Sequence, residues 1–189
     1  MPAKVLFLSN GHGEDLNASL VLQALRQQCP DLELAAVPIV GAGTAYQKLG
    51  VPLLVPPRSL PSGGFIYMDY RKLWQDLRSG LLGLTWRQIQ AVRRFSQDCD
   101  ALFVAGDVVV LAIAQWFTQR PYAAFIVSTS AHYEGTLKVP PLTWHCLRSP
   151  RCQIIFTRDA YTEQDLHCRR IPKARFAGYP IMDVLTPKG

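Results

Sequence analysis

A chain of 189 residues, 49% hydrophobic and 18% charged, is long enough to bury the core of one large domain. It has no uninterrupted apolar stretch of membrane-spanning length: the nearest approach, Ala101 to Phe117, is broken by Asp107 and Gln115, and the apolar part of MPAKVLFLS is too short for a secretory leader. The net charge of +6 asks for an anionic partner, while five cysteines without a CxxC pair suit reduced thiols in the cytoplasm.

The elements alternate along the chain. Val5 to Leu8 is an apolar run ended by a Gly-rich turn. A helical pattern follows, with Leu16, Leu20, Val21, Ala24 and Leu25 on one face and Asn10 or Gly11 as N-cap. Leu32 to Val40 reads as a second strand, GAGTAYQKLG as a turn and short helix, and Val51 to Val55 as a third strand. Prolines 52, 56, 57 and 61 and Ser62-Gly63-Gly64 then impose a loop. Arg71 to Ser79 and Leu84 to Gln97 read as helices separated near Gly80 to Gly83. Ala101 to Ala105 is a buried strand with a helix from Val108. Tyr122 to Val127 is a strand, and Pro140-Pro141 opens a helix to Leu147. Gln153 to Thr157 is a strand, Asp159 to Cys168 a helix, and Ala174 to Ala177 a last short strand. This alternation predicts an α/β fold, a Rossmann-like parallel sheet with helices on both faces.

Ligands of such sheets bind at the carboxyl ends of strands, so the loops there carry the chemistry. The first is Ser9 to Asp15. Gly11-His12-Gly13 lacks the dinucleotide-binding fingerprint, because Leu16 stands where its third glycine would be and no acid follows the second strand. Glu14 and Asp15 also put negative charge where a pyrophosphate would sit. The loop suits hydroxyl groups, held by Asn10, Gly11, Gly13, Glu14 and Asp15, or else a tight turn with the two acids capping the helix. Asp107, after the buried strand, is either a helix N-cap or a functional carboxylate. Ser128, Ser130, His132 and Glu134 either line the same cleft or form a plain polar loop. His145, Cys146, Cys152, His167 and Cys168 match no zinc-ligand spacing, and no metal or other cofactor is expected.

The motifs, taken in order, resemble those of the bacterial lipid-A-disaccharide synthases. SNGHGEDLNASLVLQAL is similar to that family's opening loop and helix, FVAGD to its Gly-x-Asp loop, and FIVSTSAHYEG to its YVSPSVWAW segment. IIFTRDAYTEQDL followed by RFAGYPIMDVL is similar to its F-x-P-F-E segment and FVGHP-x-x-D closure. The likeness extends to the cyanobacterial lipid-A-disaccharide synthase-related proteins. Tyr179 replaces the family's histidine, and Ala131 to Glu134 lacks its tryptophans.

The resemblance implies the amino-terminal half of a GT-B fold, with residues 1–175 as the acceptor-side domain and 176–189 as the start of an interdomain hinge. The donor-side domain would lie outside this sequence. The implied reaction is inverting, metal-independent transfer of a sugar from a UDP-sugar to a lipid-linked or glycolipid acceptor. Asp107 would be the base or acceptor positioner, and His12 would share that role. A stand-alone binding module without catalysis is the alternative.

The segment Tyr70 to Phe95 sets Arg71, Arg78 and Arg87 among Trp74, Leu81, Leu82 and Trp86. It reads either as a contact with an anionic membrane surface, peripheral and on the cytoplasmic side, or as an amphipathic pair packed on the sheet. No basic motif with a recognised fold points to nucleic acid.

Overall fold

Apolar runs bounded by turn residues become the strands β1 (Lys4–Asn10), β2 (Glu33–Val40), β3 (Ala101–Ala105), β4 (Tyr122–Ile126), β5 (Cys152–Thr157) and β6 (Ala174–Arg175). The computed structural model describes residues 2–40, 42–54 and 81–185, with the side chains of 81–85 left aside. The helices are α1 (His12–Gln28), α2 (Thr44–Lys48), α3 (Leu81–Phe95), α4 (Val108–Phe117), α5 (Ala131–Glu134), α6 (Pro141–Arg148) and α7 (Ala160–Cys168). All strand pairs are parallel, in the order β2-β1-β3-β4-β5-β6. The α/β, Rossmann-like architecture with helices on both faces is therefore as the sequence predicts.

The twofold alternation of a strand splits the core into two layers. Leu6, Leu8, Val104, Ala124 and Ile126 pack in one layer with Val92 of α3, Leu111 and Ala114 of α4, and Leu147 of α6. Phe7, Phe103 and Phe125 pack in the other with Ala18 and Leu22 of α1 and with Tyr46. The phenylalanine rings form a ladder across β1, β3 and β4, with centroids 4.9 and 6.2 Å apart. The segment after β6 extends this second layer, where Tyr179 meets Phe125 edge-on at 6.4 Å.

Four expectations need correction. Among the described residues of 51–55 there is no strand: Leu53 only bridges Ala36, with the Ala36 amide donating to the Pro52 carbonyl and the Leu54 amide to the Ala36 carbonyl. Pro52 has no amide hydrogen to extend that ladder. No break occurs at Gly83, which lies inside α3; one helical glycine costs about 1 kcal/mol, less than packing supplies. The inward face of α1 is Asp15, Ala18, Ser19 and Leu22, while Leu16 is 37% exposed and Ala24 is exposed. The last strand stops at Arg175. The helix expected from Arg71 to Ser79 lies outside the described residues.

Gly106 joins β3 to α4 at φ 142°, and a Cβ there would lie 3.1 Å from Val110 Cγ2 and 3.4 Å from Asn10 Cβ. Gly106→Ala is expected to lose about 1–3 kcal/mol in urea unfolding. Gly13→Ala, with nothing within 4 Å of the new carbon, should lose none. Equal losses at both positions would refute this packing argument.

Candidate functional site

From β1 the chain crosses first to β2 on one side, then returns as β3 on the other. The gap between β1 and β3 is thus the point where strand order reverses, the usual ligand crevice of an open parallel sheet. The register sets Ser9 beside Ala105 and Ala105 beside Phe125, so three loops leave the sheet at one level.

These loops touch. The Gly11 amide donates to the Val40 carbonyl at 3.1 Å. Gly11 has φ 119°, and a Cβ there would lie 2.9 Å from Glu14 Oε2, so the glutamate folds back over the loop. The hypothetical Cβ of Gly106 would lie 3.5 Å from Glu14 Cγ. From the third loop, the exposed Ser128 hydroxyl donates to Glu14 Oε1. Asn10, Gly11, Glu14, Gly106, Asp107 and Ser128 thereby share one end of the sheet. The amide oxygen of Asn10 is buried there without a hydrogen-bond partner among the described residues.

Asp107 is half-buried and is the N-cap of α4, its Oδ1 accepting from the Val109 amide at 2.9 Å. Burial holds its carboxyl above the usual carboxylate range, and hydrogen bonding from the Val109 amide pulls the other way. Capping and a raised basicity thus coexist in one side chain.

The remaining candidate residues separate. Asp15 is not at the surface beside Glu14 but 2% exposed, which corrects the expectation that both acids face hydroxyls. Ser9 Oγ donates to Asp15 Oδ1 at 2.6 Å and lies 2.8 Å from the Tyr46 hydroxyl. A serine carries one hydroxyl hydrogen, so with Asp15 ionised the tyrosine is the donor to Ser9. Burial pushes Asp15 up to about 6, opposed by the Ser9 bond and by nearby His12. His12 and Gly13 are exposed at the start of α1, and His12 lines a groove of about 330 Å³ with Leu16, Leu20, Thr44 and Lys48. Ser130 is 3% exposed and donates to Asp159 Oδ2 at 2.6 Å, so its hydroxyl ties two loops together rather than facing the crevice. His132 is exposed, with its ring 4.7 Å from Tyr161 and 5.0 Å from Tyr133; Glu134 is half-buried.

Sequence reading missed Tyr46, Asn17 and Arg158. Asn17 Nδ2 donates to the Gly13 carbonyl at 2.9 Å and to the Tyr179 hydroxyl at 3.4 Å, and its Oδ1 accepts from the Ile181 amide at 3.3 Å. It ties the segment after β6 to α1. The signal was an asparagine in mid-helix, a poor helix former that needs a reason to be there. Arg158 follows β5 and stands over Tyr133 and Tyr179.

Among the described residues no three His, Cys, Asp or Glu side chains gather as a metal site, and the five candidate zinc ligands do not converge. Trp86 is 54% exposed and Arg87 is exposed. Leu81 and Leu82 belong to α3, while Arg71, Trp74 and Arg78 lie outside the described residues. No described helix is long and apolar enough to cross a membrane.

The sequence matches no protein-family model and no curated protein. The fold is shared with solved structures. UDP-bound MnaA of S. aureus superposes with a TM-score of 0.61 at 13% identity, over 96% of this chain and 45% of MnaA. The UDP-N-acetylglucosamine 2-epimerase of Rickettsia bellii gives 0.58 at 14% identity, over 98% of this chain and 47% of the epimerase. Anabaena HepE in complex with UDP and glucose gives 0.56 at 16%, over 94% and 44%. The chain spans a little under half the length of each, and its Rossmann-like sheet is of the GT-B type.

The buried Asp15 makes stability depend on pH. Its carboxyl moves from an ordinary 3.8 to about 6 on folding, so between these values the folded chain holds a proton that the unfolded chain has released. Stability contributed by this group is present below about pH 4 and falls by about 3 kcal/mol as pH rises through about 6. Urea unfolding of wild type and Asp15→Asn across that range should show the wild type losing ground to the variant by this amount. Parallel curves would refute it.

Proposed function

We propose that this chain is the acceptor-binding half of an inverting, metal-independent glycosyltransferase of the lipid-A-disaccharide synthase type, moving a sugar from a UDP-sugar to a lipid-linked or glycolipid acceptor. The observation that carries this reading is the meeting of Glu14, Gly106 and Ser128, with Asp107 next in the chain, at the strand-order reversal of a GT-B-type sheet. The UDP in the MnaA and HepE structures supports the donor class.

In this reading the acceptor hydroxyl lies against Asp107. Its oxygen attacks the anomeric carbon of the sugar, the bond from that carbon to the UDP oxygen breaks, and Asp107 takes the hydroxyl proton. A carboxylate whose basicity is raised by burial accepts that proton more readily than an exposed one. Glu14, steadied by Ser128, and the Asn10 oxygen, unpartnered among the described residues, hold neighbouring hydroxyls. Gly13 leaves the exposed start of α1 open, and the exposed His12 beside it would share the role of base. Residues 1–175 form the acceptor side, and the donor half stabilises the departing UDP.

The alternative, a binding module without chemistry, draws support from the capping bond that already occupies Asp107. In a protein that unites this chain with its donor-binding half, Asp107→Asn should lower kcat, followed by UDP release, by about 10²–10⁴. Asparagine caps a helix about as well as aspartate, so unfolding free energy should change by less than about 1 kcal/mol. Unchanged turnover would leave the binding module.

The acceptor would be met at an anionic membrane surface on the cytoplasmic side. α3 turns Gln88 and Val92 inward, where Gln88 Nε2 donates to the Ile39 carbonyl at 2.7 Å, and leaves Trp86, Arg87, Arg93 and Arg94 exposed. Arginines near such a surface contribute about 1 kcal/mol each, weakened by salt. Co-sedimentation should show binding to anionic but not neutral vesicles, reduced by salt and by Trp86→Ala. Absence of binding to both at low salt would end the membrane reading.

A further inference from the structure

Asn17 stands inside α1 with 1% of its surface exposed. A buried side-chain amide has two N–H hydrogens and one carbonyl oxygen to place, and asparagine is a poor helix former. All three groups are placed. One hydrogen goes to the Gly13 carbonyl at 2.9 Å and the other to the Tyr179 hydroxyl at 3.4 Å, while Oδ1 accepts from the Ile181 amide at 3.3 Å. Two of the three partners therefore belong to the segment after β6.

Burial does little to hold that segment. No residue of Pro180–Asp183 is buried, and Met182 and Val184 are 61% and 53% exposed. It packs on α1, with Tyr179 edge-on to Phe125 and beneath Arg158. A segment with so few buried contacts opens locally while the sheet stays folded. Opening takes two partners from a buried amide, and an amide left unpaired is costly. The third partner carries the consequence to the crevice. The Gly13 carbonyl and the Glu14 amide belong to one rigid peptide plane. The Asn17 bond fixes the tilt of that plane, and with it the direction in which the Glu14 side chain leaves α1. Glu14 accepts from the Ser128 hydroxyl and lies over Gly11 and Gly106.

We infer that Asn17 is a positioning residue, which makes the placement of Glu14 over the crevice depend on the docking of residues 179–183 against α1. With the segment docked, the amide holds the Gly13–Glu14 plane and Glu14 reaches Ser128. With the segment lifted, the amide turns to new partners, the plane loosens, and Glu14 loses its fixed place. The inference rests on the transferase reading only for what Glu14 holds, a hydroxyl of the acceptor. The coupling itself is a property of this chain.

The test uses amide hydrogen exchange and backbone amide resonances of the 189-residue chain. Asn17→Ala should speed exchange of the Ile181 amide about tenfold and shift the Glu14 and Ser128 resonances, while Leu6 and Val104 in the sheet exchange as before. Tyr179→Phe removes one hydroxyl and keeps the ring on Phe125. It should shift the Glu14 and Ser128 resonances in the same direction by a smaller amount, and add nothing in the Asn17→Ala background. An asparagine that only braced α1 would leave both resonances unmoved by Tyr179→Phe. Coupling is reciprocal, so Ser128→Ala, which frees Glu14, should in turn speed exchange at Ile181. Tyr179→Phe and Ser128→Ala decide the matter if Asn17→Ala does not fold. Glu14 and Ser128 resonances that ignore Tyr179→Phe, or Ile181 exchange that ignores Ser128→Ala, overturn the inference. Turnover of the joined protein that depends on Asp107, with no such coupling in this chain, overturns only this inference. Coupling in this chain, with turnover indifferent to Asp107, overturns only the transferase reading.

Discussion

The parallel register of β1, β3 and β4 is the constraint on which the rest depends. Each of these strands delivers its carboxyl end to the same edge, because Ser9 pairs with Ala105 and Ala105 with Phe125. A parallel sheet buried on both faces cannot shift by one residue without turning Phe7, Phe103 and Phe125 from one layer into the other. The phenylalanine ladder therefore fixes more than a core. It fixes the level at which Asn10, Gly106 and Ser128 leave the sheet, and so makes their contacts possible. Gly106 closes the arrangement, since the missing side chain is what lets the β1 and β3 loops pack against each other.

Beneath that edge lies a second device, the Ser9, Asp15 and Tyr46 cluster. It joins β1, α1 and α2 through two short hydrogen bonds inside the core. One carboxylate oxygen of Asp15 is buried without a partner among the described residues, so the cluster costs stability whenever the group is charged. The structure accepts this cost directly below the loop that Glu14 folds over. The polar surface above is the outer layer of a polar stack: an inward acid anchors the start of α1, and the neighbouring outward acid meets the crevice.

Much of the fold was legible in the sequence because its signals were local. Ala101 to Ala105 is apolar throughout and is followed by Gly-Asp, which gives strand, turn and helix, with Asp107 as one candidate cap. The errors came where local pattern and tertiary packing disagree. Val51 to Val55 has strand composition, but Pro52 limits it to a bridge. The apolar stripe of α1 pointed to Leu16 and Ala24, yet the helix turns Asp15 inward, where the Ser9 hydroxyl donates to it, and Ser19 inward with it. At the site, residues close in sequence were identifiable as a group; partnerships across the chain were not. Nothing in the sequence links Ser9 to Tyr46, Asn17 to Tyr179, or Ser130 to Asp159, because each pair is made by strand order rather than by spacing.

Asp107 shows where sequence and geometry have to be combined. As an N-cap it contributes about 1 kcal/mol, and serine or asparagine would serve that purpose equally well. Capping alone therefore does not require a group that can take up a proton. General-base assistance of 10²–10⁴ corresponds to about 3–5 kcal/mol of barrier, several times the worth of the cap. A carboxylate has two oxygens, and the cap engages Oδ1. Burial raises the group's affinity for a proton, which an exposed N-cap would not gain. The capping bond orients the carboxylate at the strand-order reversal, and the desolvation that disfavours its charge makes it the stronger base. In the proposed reaction the two roles would not compete: the weaker interaction would position the group for the stronger one.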